Sequence, residues 1–570
     1  MLPPVSAGTA GALGRPAKAA STQAPPARSR ARARVTALTV VVAAVYAGYG
    51  LLLFRRFRDG TFDLVIFDQA VRGYAHLQAP ASMARGVSDG VGTHFLVLGD
   101  HWSPILALLA PLYWIHDGPT TLIVAQAVLF ALAIPPLWVF TKRLLGPGAA
   151  YFVCGAYALS LPVAAAINFD FHEVAFVPVL TAVMAERLQA GRRAQAVAAA
   201  IALLMVKEDM GLLVAGYGAY LFLIKERRLG TWFMVGGVAA TWLSTRVLIP
   251  AFGGSATFYW AYGPLGATAP AAAWHVLTHP LEALRMLVTP EVKVSTMLSL
   301  VAPLGFLSLA SPMVVAAVPL LLERMLATGF PSWWTADYHY DAFIVMVLVL
   351  AAVDGAARIQ RLTRVEVMTR RPWLRIGPRP GDAPPQVPGP VPEAAGSGGA
   401  VPAAAVPSGH VARWQAPLAF VWAMAICIAA IAALPTSPFG QLLHPKFYTV
   451  NARIEAAAAA ASMVPDGALV EATDYVGPHL SDRADVLLLD GTPRWAPWVV
   501  ADTRGLDFPF CSPAQQAALV SYLLAHGYTQ VFSRDGYVVL RRPEDAKTRA
   551  ALAHPARASG LRGNACGRYG

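Results

Sequence analysis

The chain has little of what marks a soluble enzyme. Its 570 residues include four cysteines, with no CxxC and no spacing suited to a metal ion. No P-loop, GxSxG or HExxH motif occurs, which argues against an ATP motor, a serine hydrolase and a zincin. Charge is scarce, 14% of residues against 56% hydrophobic, a balance that suits a polytopic membrane protein and exceeds what a soluble domain shows. The formal net charge of +12 does not indicate nucleic acid. Its arginines sit mainly in the N-terminal tail and a linker, interleaved with Pro and Ala rather than with aromatic stacking residues. No internal repeat is visible, so nothing in the pattern suggests the inverted halves of a transporter.

What is present is a series of apolar runs with sorted ends. Residues 1–34 form a basic tail without an acid, expected to be disordered and cytoplasmic, and the apolar run 35–54 reads as an uncleaved signal anchor. Lys142-Arg143, Arg187 with Arg192-Arg193, Lys225 with Arg227-Arg228, and the stretch from Arg358 to Arg379 are basic ends that the positive-inside rule places in the cytoplasm. Threading between them gives about eleven helices, several shorter than a perpendicular span requires. The fold expected is mainly α: a transmembrane bundle over 35–356 with outer loops at 55–118 and 251–293, and a last span at 414–434. The first loop begins with an amphipathic stretch from Asp63 to Tyr74, and the second carries Tyr259-Trp260-Ala261-Tyr262, an aromatic cluster suited to headgroup depth.

Residues 357–413 turn to Arg, Pro, Gly and Ala and read as a flexible cytoplasmic linker. From 440 to 570 the chain becomes soluble in character. Short strands are expected at Ala468–Glu471, Asp485–Leu489, Trp498–Ala501, Thr529–Phe532 and Tyr537–Leu540, with a helix at Pro513–His526 and a hairpin turn at Asp535-Gly536. This predicts a small extracytoplasmic α/β domain, in a compartment that permits a Cys511–Cys566 disulfide.

Nearly all acids and histidines outside the tails collect at the other set of helix ends. Asp63 and Asp68 follow the first span. Asp63 is either a helix N-cap or a carboxylate held near the outer membrane face, and Asp68 lies off its helical face, a solvated charge by preference. Asp170-Phe171-His172-Glu173 is the densest group. Ionisable groups at that depth face a cavity and pair, so His172 is a candidate proton carrier or metal ligand with Glu173 or Asp170, against a capped turn as the alternative. Lys207-Glu208-Asp209 interrupts two short apolar runs as an outer turn. Glu323-Arg324 and the Tyr338-His339-Tyr340 group bracket a short loop, and Arg324 suits bidentate phosphate binding as well as an internal ion pair with Glu323.

Four segments carry a resemblance: Phe62-Asp-Leu-Val-Ile-Phe-Asp-Gln, His101-Trp-Ser-Pro-Ile-Leu-Ala-Leu-Leu-Ala-Pro-Leu-Tyr, Phe169-Asp-Phe-His-Glu and Val206-Lys-Glu-Asp-Met-Gly. Over about residues 40 to 350 the chain resembles a bacterial family of predicted polytopic membrane proteins, itself distantly similar to the GT-C glycosyltransferases. That resemblance implies transfer of a sugar from a polyprenyl-phosphate donor to an extracytoplasmic glycan or protein acceptor at the plasma membrane. It implies a catalytic acid in the first outer loop, which Asp63 matches, with His172 and Glu173 beside it. Asp68, His101, Asp170, Lys207, Glu208, Arg246, Glu323, Arg324, His339 and Tyr340 are then candidates for substrate binding, and Arg324, Lys207 and Arg246 for the phosphate. The resemblance gives that catalytic acid as general base or as metal ligand; whether a metal is used stays open, and if a divalent ion such as Mg²⁺ or Mn²⁺ is, Asp63, Asp170 and His172 are its candidate ligands. The sequence departs from the pattern in carrying Phe62-Asp63 where many GT-C enzymes have paired acids. A transporter or a lipid-linked substrate binder that uses the same cavity without chemistry is the alternative.

Overall fold

The computed structural model describes residues 27–257, 259–370 and 416–553. Among these, the helices Ser29–Arg55, Thr120–Leu145, Arg227–Ala251 and His339–Thr363 are long and apolar enough to cross a bilayer. Two bent pairs, Pro147–Ala158 with Leu161–Asn168 (41°) and Pro280–Val288 with Glu291–Leu304 (74°), bring the number to six if each is one span. Shorter helices, among them Pro104–Tyr113, Phe176–Gln189, Arg193–Leu204, Met210–Leu223 and Leu418–Ala432, join them. Helices thus form where apolar runs were expected. The gap between six and about eleven reflects length, because the remaining runs are too short to cross unaided.

The helix Ala342–Arg370 is the axis, with every residue from Ala342 to Val353 buried. The hairpin of Met210–Leu223 and Arg227–Leu243 closes at glycines: a Cβ on Gly211 would lie 2.2 Å from the Gly237 carbonyl oxygen, and one on Gly218 2.7 Å from that of Gly230. Small residues allow the backbones this approach in a bilayer, where the hydrophobic effect does not drive helices together.

Two boundaries move. The first helix begins at Ala27, inside the tail expected to be disordered, because Ala and Arg favour helix and no proline intervenes before the span. The axial helix runs to Arg370, into the expected linker, for the same reason, and Pro372 follows. The rest of the tail and linker, and Cys566 of the expected disulfide, lie outside the described residues.

The C-terminal sheet has five strands, β1 Leu469–Ala472, β2 Asp485–Leu488, β3 Trp498–Asp502, β4 Thr529–Arg534 and β5 Tyr537–Arg541. Their order is β2-β1-β3-β5-β4, with β2, β1 and β3 parallel and the β4–β5 hairpin antiparallel. The hairpin turns through Asp535 (φ 49°) and Gly536 (φ 92°), the two left-handed residues that a tight turn of matching twist demands.

This sheet does not stand apart. The amphipathic stretch of the first loop forms a wide helical turn, Thr61–Val65, followed by helix Ile66–Ala75. Val65, Ile66 and Ala70 share one hydrophobic core with Ala456, Ala460, Val470, Leu480, Val486 and Val539 of the C-terminal domain. The helix expected at the membrane interface is therefore clamped between bundle and sheet, since its apolar stripe finds a protein partner there.

Candidate functional site

Each helix of the bundle carries the chain from one end to the other. Phe176–Gln189 leaves His172 and arrives at Arg187, Arg193–Leu204 returns to Lys207, Met210–Leu223 descends to Lys225, and Arg227–Leu243 comes back to Arg246. The acids and histidines consequently meet at one end. A cavity of about 850 Å³ opens there, bringing together Asp63, His101, His172, Lys207, Glu208, Arg246, Glu323, Arg324, His339 and Tyr340.

Asp63 sits in the Thr61–Val65 turn, and its carboxylate, 27% exposed, lies 3.4 Å from His172 Nε2. The Nδ1 of the same ring lies 3.0 Å from the main-chain oxygen of Asp170. A carbonyl can only accept, so Nδ1 carries the proton and Nε2 is left to exchange one with Asp63. His172 stacks on His339 (centroids 3.7 Å apart) and on Phe169 (5.3 Å), which fixes the plane of the imidazole. Asp63 is not an N-cap of its helix. The free amides at that terminus are met from elsewhere: Gly60 N–H donates to both carboxylate oxygens of Asp170 (3.0 Å each), and Phe62 N–H to Asp474 Oδ1 (3.0 Å).

The cavity's cations differ in how far they are committed. Lys207 donates to Glu173 Oε1 at 2.8 Å, and Arg324 to Asp341 Oδ1 at 2.6 Å and to the Trp333 carbonyl at 2.9 Å. Arg85 is held by Asp100 at 2.9 and 3.0 Å. Arg246, on a second wide turn at Ser244–Leu248, has no hydrogen bond or ion pair among the described residues. Wide turns of this kind inside helices frequently mark functional sites.

The acids are tuned by these neighbours. Burial works against the charge of Glu173, but Lys207, with His101 and His172, outweighs it and holds the carboxyl below its ordinary range. Glu208 is brought down to about 2 in the same way, burial being overcome by His101, whose Nδ1 is 2.8 Å away. Burial pushes Asp209 up to about 7, against Lys207.

Three predicted site residues do not reach the cavity lining. Asp68, expected to be solvated or to bind substrate, is fully buried and bonded to Arg72 (2.9 Å), Tyr113 (2.8 Å) and Ser481, because the helix turns it away from Asp63 towards the C-terminal domain. Asp170 is spent on the Gly60 amide and a hydrogen bond with Asp59, and Glu173 on Lys207. The expected Glu323–Arg324 pair is also replaced, since Arg324 turns to Asp341. The proposed metal set does not fit. Asp170 presents its backbone oxygen, not its carboxylate, to His172, and no group of three His, Cys, Asp or Glu among the described residues is placed to hold a metal ion.

The sequence of residues 54–376 matches the model of a predicted membrane protein family, DUF2079. The chain belongs to this family. Every cavity-lining residue falls within the matched span, whereas the C-terminal sheet lies beyond it. No curated protein matches the sequence. Solved structures similar to it include ArnT from Cupriavidus metallidurans bound to undecaprenyl phosphate, 14% identical, with a TM-score of 0.46 over 91% of this chain and 99% of that one. The Archaeoglobus fulgidus oligosaccharyltransferase tethered with an acceptor peptide is 11% identical, with a TM-score of 0.42 over 90% of this chain and 74% of that one.

Sequence reasoning did not single out Arg85; Asp100 and Asp209, placed at the polar end, and Tyr259, placed in an outer loop, were not named as site candidates, and all four line the cavity. Tyr259 was visible as an aromatic near headgroup depth. In the structure it stacks on His101 (4.7 Å) and donates to Asp100 at 2.7 Å. Asp59, Asp474 and Asp507 carried no local signal.

Proposed function

We propose that this membrane protein transfers a sugar from a polyprenyl-phosphate donor to an extracytoplasmic acceptor, with Asp63 as the general base. The observation that carries the reading is a partly exposed carboxylate paired with an oriented imidazole in a cavity that also holds an uncommitted arginine. As the acceptor hydroxyl oxygen attacks the anomeric carbon, the Asp63 carboxylate takes its proton, which His172 Nε2 beside it accepts in turn, restoring the carboxylate. The bond from that carbon to the phosphate oxygen breaks, and the lipid phosphate leaves as an anion, met by Arg246. Lys207 and Arg324, already paired, supply a positive field rather than direct contacts.

The cavity walls suit such a donor. Val238, Trp242, Val276 and Leu277 give the cavity an apolar part on and beside the candidate span Arg227–Ala251, fit for an isoprenoid chain, and Arg246 follows on the same span. Two aromatic rings, Trp333 and Tyr340, offer faces for a sugar. Arg143, Arg187, Arg193 and Arg227 at the far end support, through the positive-inside rule, the reading of the cavity and the C-terminal domain as outer and the N-terminus as cytoplasmic.

The test is release of labelled sugar from a panel of polyprenyl-phosphate donors by purified, lipid-reconstituted protein. Turnover by the native chain that is lost in Asp63→Asn supports the assignment. Donor binding without turnover, unchanged in Asp63→Asn, overturns it in favour of transport or storage of a lipid-linked substrate.

A further inference from the structure

We infer that the C-terminal domain sets the geometry of the cavity's base from outside the lining, with Asp474 acting as a positioning residue for Asp63. The inference rests on the catalytic reading of Asp63. Its geometry stands independently.

The turn that carries Asp63 begins without a cap of its own: Gly60 has an extended backbone and no side chain to satisfy the amides that follow. Three successive amides are nevertheless bonded. Gly60 N–H goes to the Asp170 carboxylate of the bundle, Thr61 N–H to the Asp474 carbonyl at 2.7 Å, and Phe62 N–H to Asp474 Oδ1 at 3.0 Å. Thr61 Oγ1 donates to the same Asp474 carbonyl at 2.6 Å. The turn is therefore held from both sides, and one holder lies 413 residues away in the chain, just after β1.

Close approach makes the fit specific. A Cβ on Gly60 would sit 2.8 Å from Asp474 Oδ2 and 3.0 Å from Asp170 Oδ2, and one on Gly477 would sit 2.0 Å from Thr61 Oγ1. Around this point His479 is stacked between Phe54 (4.1 Å) and Phe57 (3.7 Å), and its Nε2 is 2.9 Å from the Phe54 carbonyl oxygen. Phe508 packs 5.2 Å from Phe62. The domain thus grips the chain on both flanks of Asp63, and none of its described residues lines the cavity itself. Its role is to set the angle and depth of the base.

The experiment uses the full chain in lipid, with two readouts on Asp474→Ala, Asp474→Asn and Gly477→Ala. Hydrogen–deuterium exchange over residues 60–64 is expected to rise about five- to tenfold in Asp474→Ala and Gly477→Ala. It is expected to recover towards native in Asp474→Asn, whose amide oxygen still accepts from Phe62. Sugar transfer should follow the same order, with kcat about tenfold or more lower and KM little changed, because misplacing a base affects the chemical step. Unchanged exchange at 60–64 in both Asp474→Ala and Gly477→Ala overturns the inference, as does a loosened turn with undiminished kcat. If the native protein transfers no sugar, the glycosyl-transfer reading fails, and exchange alone decides whether the domain holds the turn.

Discussion

At the basic end of the bundle, ion pairs lie in the open: Arg193–Glu226 spans 2.8 Å with side chains 65% and 47% exposed. At the cavity end, Lys207–Glu173 spans the same 2.8 Å with side chains 12% and 1% exposed. The distances are identical and the consequences are not. Exposed pairs contribute little to stability, so the basic end needs no reason beyond the cytoplasmic orientation proposed for it. Buried charges cost desolvation that their mutual attraction barely offsets, so the cavity end needs a reason for keeping them, and the proposed reaction, which moves a proton and an anion, would supply one.

The contrast is sharpened first by Glu173→Gln, which leaves the Lys207 ammonium buried without its partner. A loss of about 3–5 kcal/mol is expected, read as a lowered unfolding midpoint in lipid or detergent. A change within the noise would mean that water reaches Lys207 freely.

A second departure is expected with pH. Burial pushes Asp59 up to about 7, against the hydrogen bond with Asp170 and the charge of Arg58, and Asp507 is likewise buried and brought to about 7. The folded protein thus holds protons that the unfolded chain releases at the ordinary carboxylate pKa. Their stabilisation is complete below that value and is lost as pH rises through about 7. The unfolding midpoint should fall between pH 5 and 8, with a shallower slope in Asp59→Asn. The same slope in that variant would exclude Asp59 as a source.

Arg246→Ala comes next. Removing the uncommitted cation should weaken donor binding by about tenfold or more, since hydrogen bonds to charged groups are worth about 1.5–3 kcal/mol. Isothermal binding of a polyprenyl phosphate checks it, and equal affinity would move the phosphate to Lys207 or Arg324. The smallest effect belongs to the basic end. Glu226→Gln should change stability by less than about 0.5 kcal/mol, measured in the same unfolding assay, and a larger loss would erase the distinction between the two ends.

Much of this architecture was legible along the chain. Apolar run length and basic flanks locate the helices and sort their ends, and alternation with the Asp535-Gly536 turn locates the strands, because periodicity and turn chemistry are local properties. The gathering of Asp63, His172, Lys207 and Arg324 at one end follows from the same threading. Partner choice did not follow. Asp63 and Asp68 are five residues apart on one helical segment, yet the first faces the cavity beside His172 and the second is sealed against Tyr113. Arg324 passes over the adjacent Glu323 for Asp341, seventeen residues away.

By itself, then, the sequence determined a membrane bundle with a sorted polar end and a small sheet appended, since hydrophobic periodicity and charge placement act over a few residues at a time. Only the tertiary structure decided which carboxylates remain free, which cations are spent, and that Asp474 closes over Gly60, Thr61 and Phe62. Those outcomes depend on which buried group finds a partner first within about 3 Å, and that distance is set by packing between segments hundreds of residues apart.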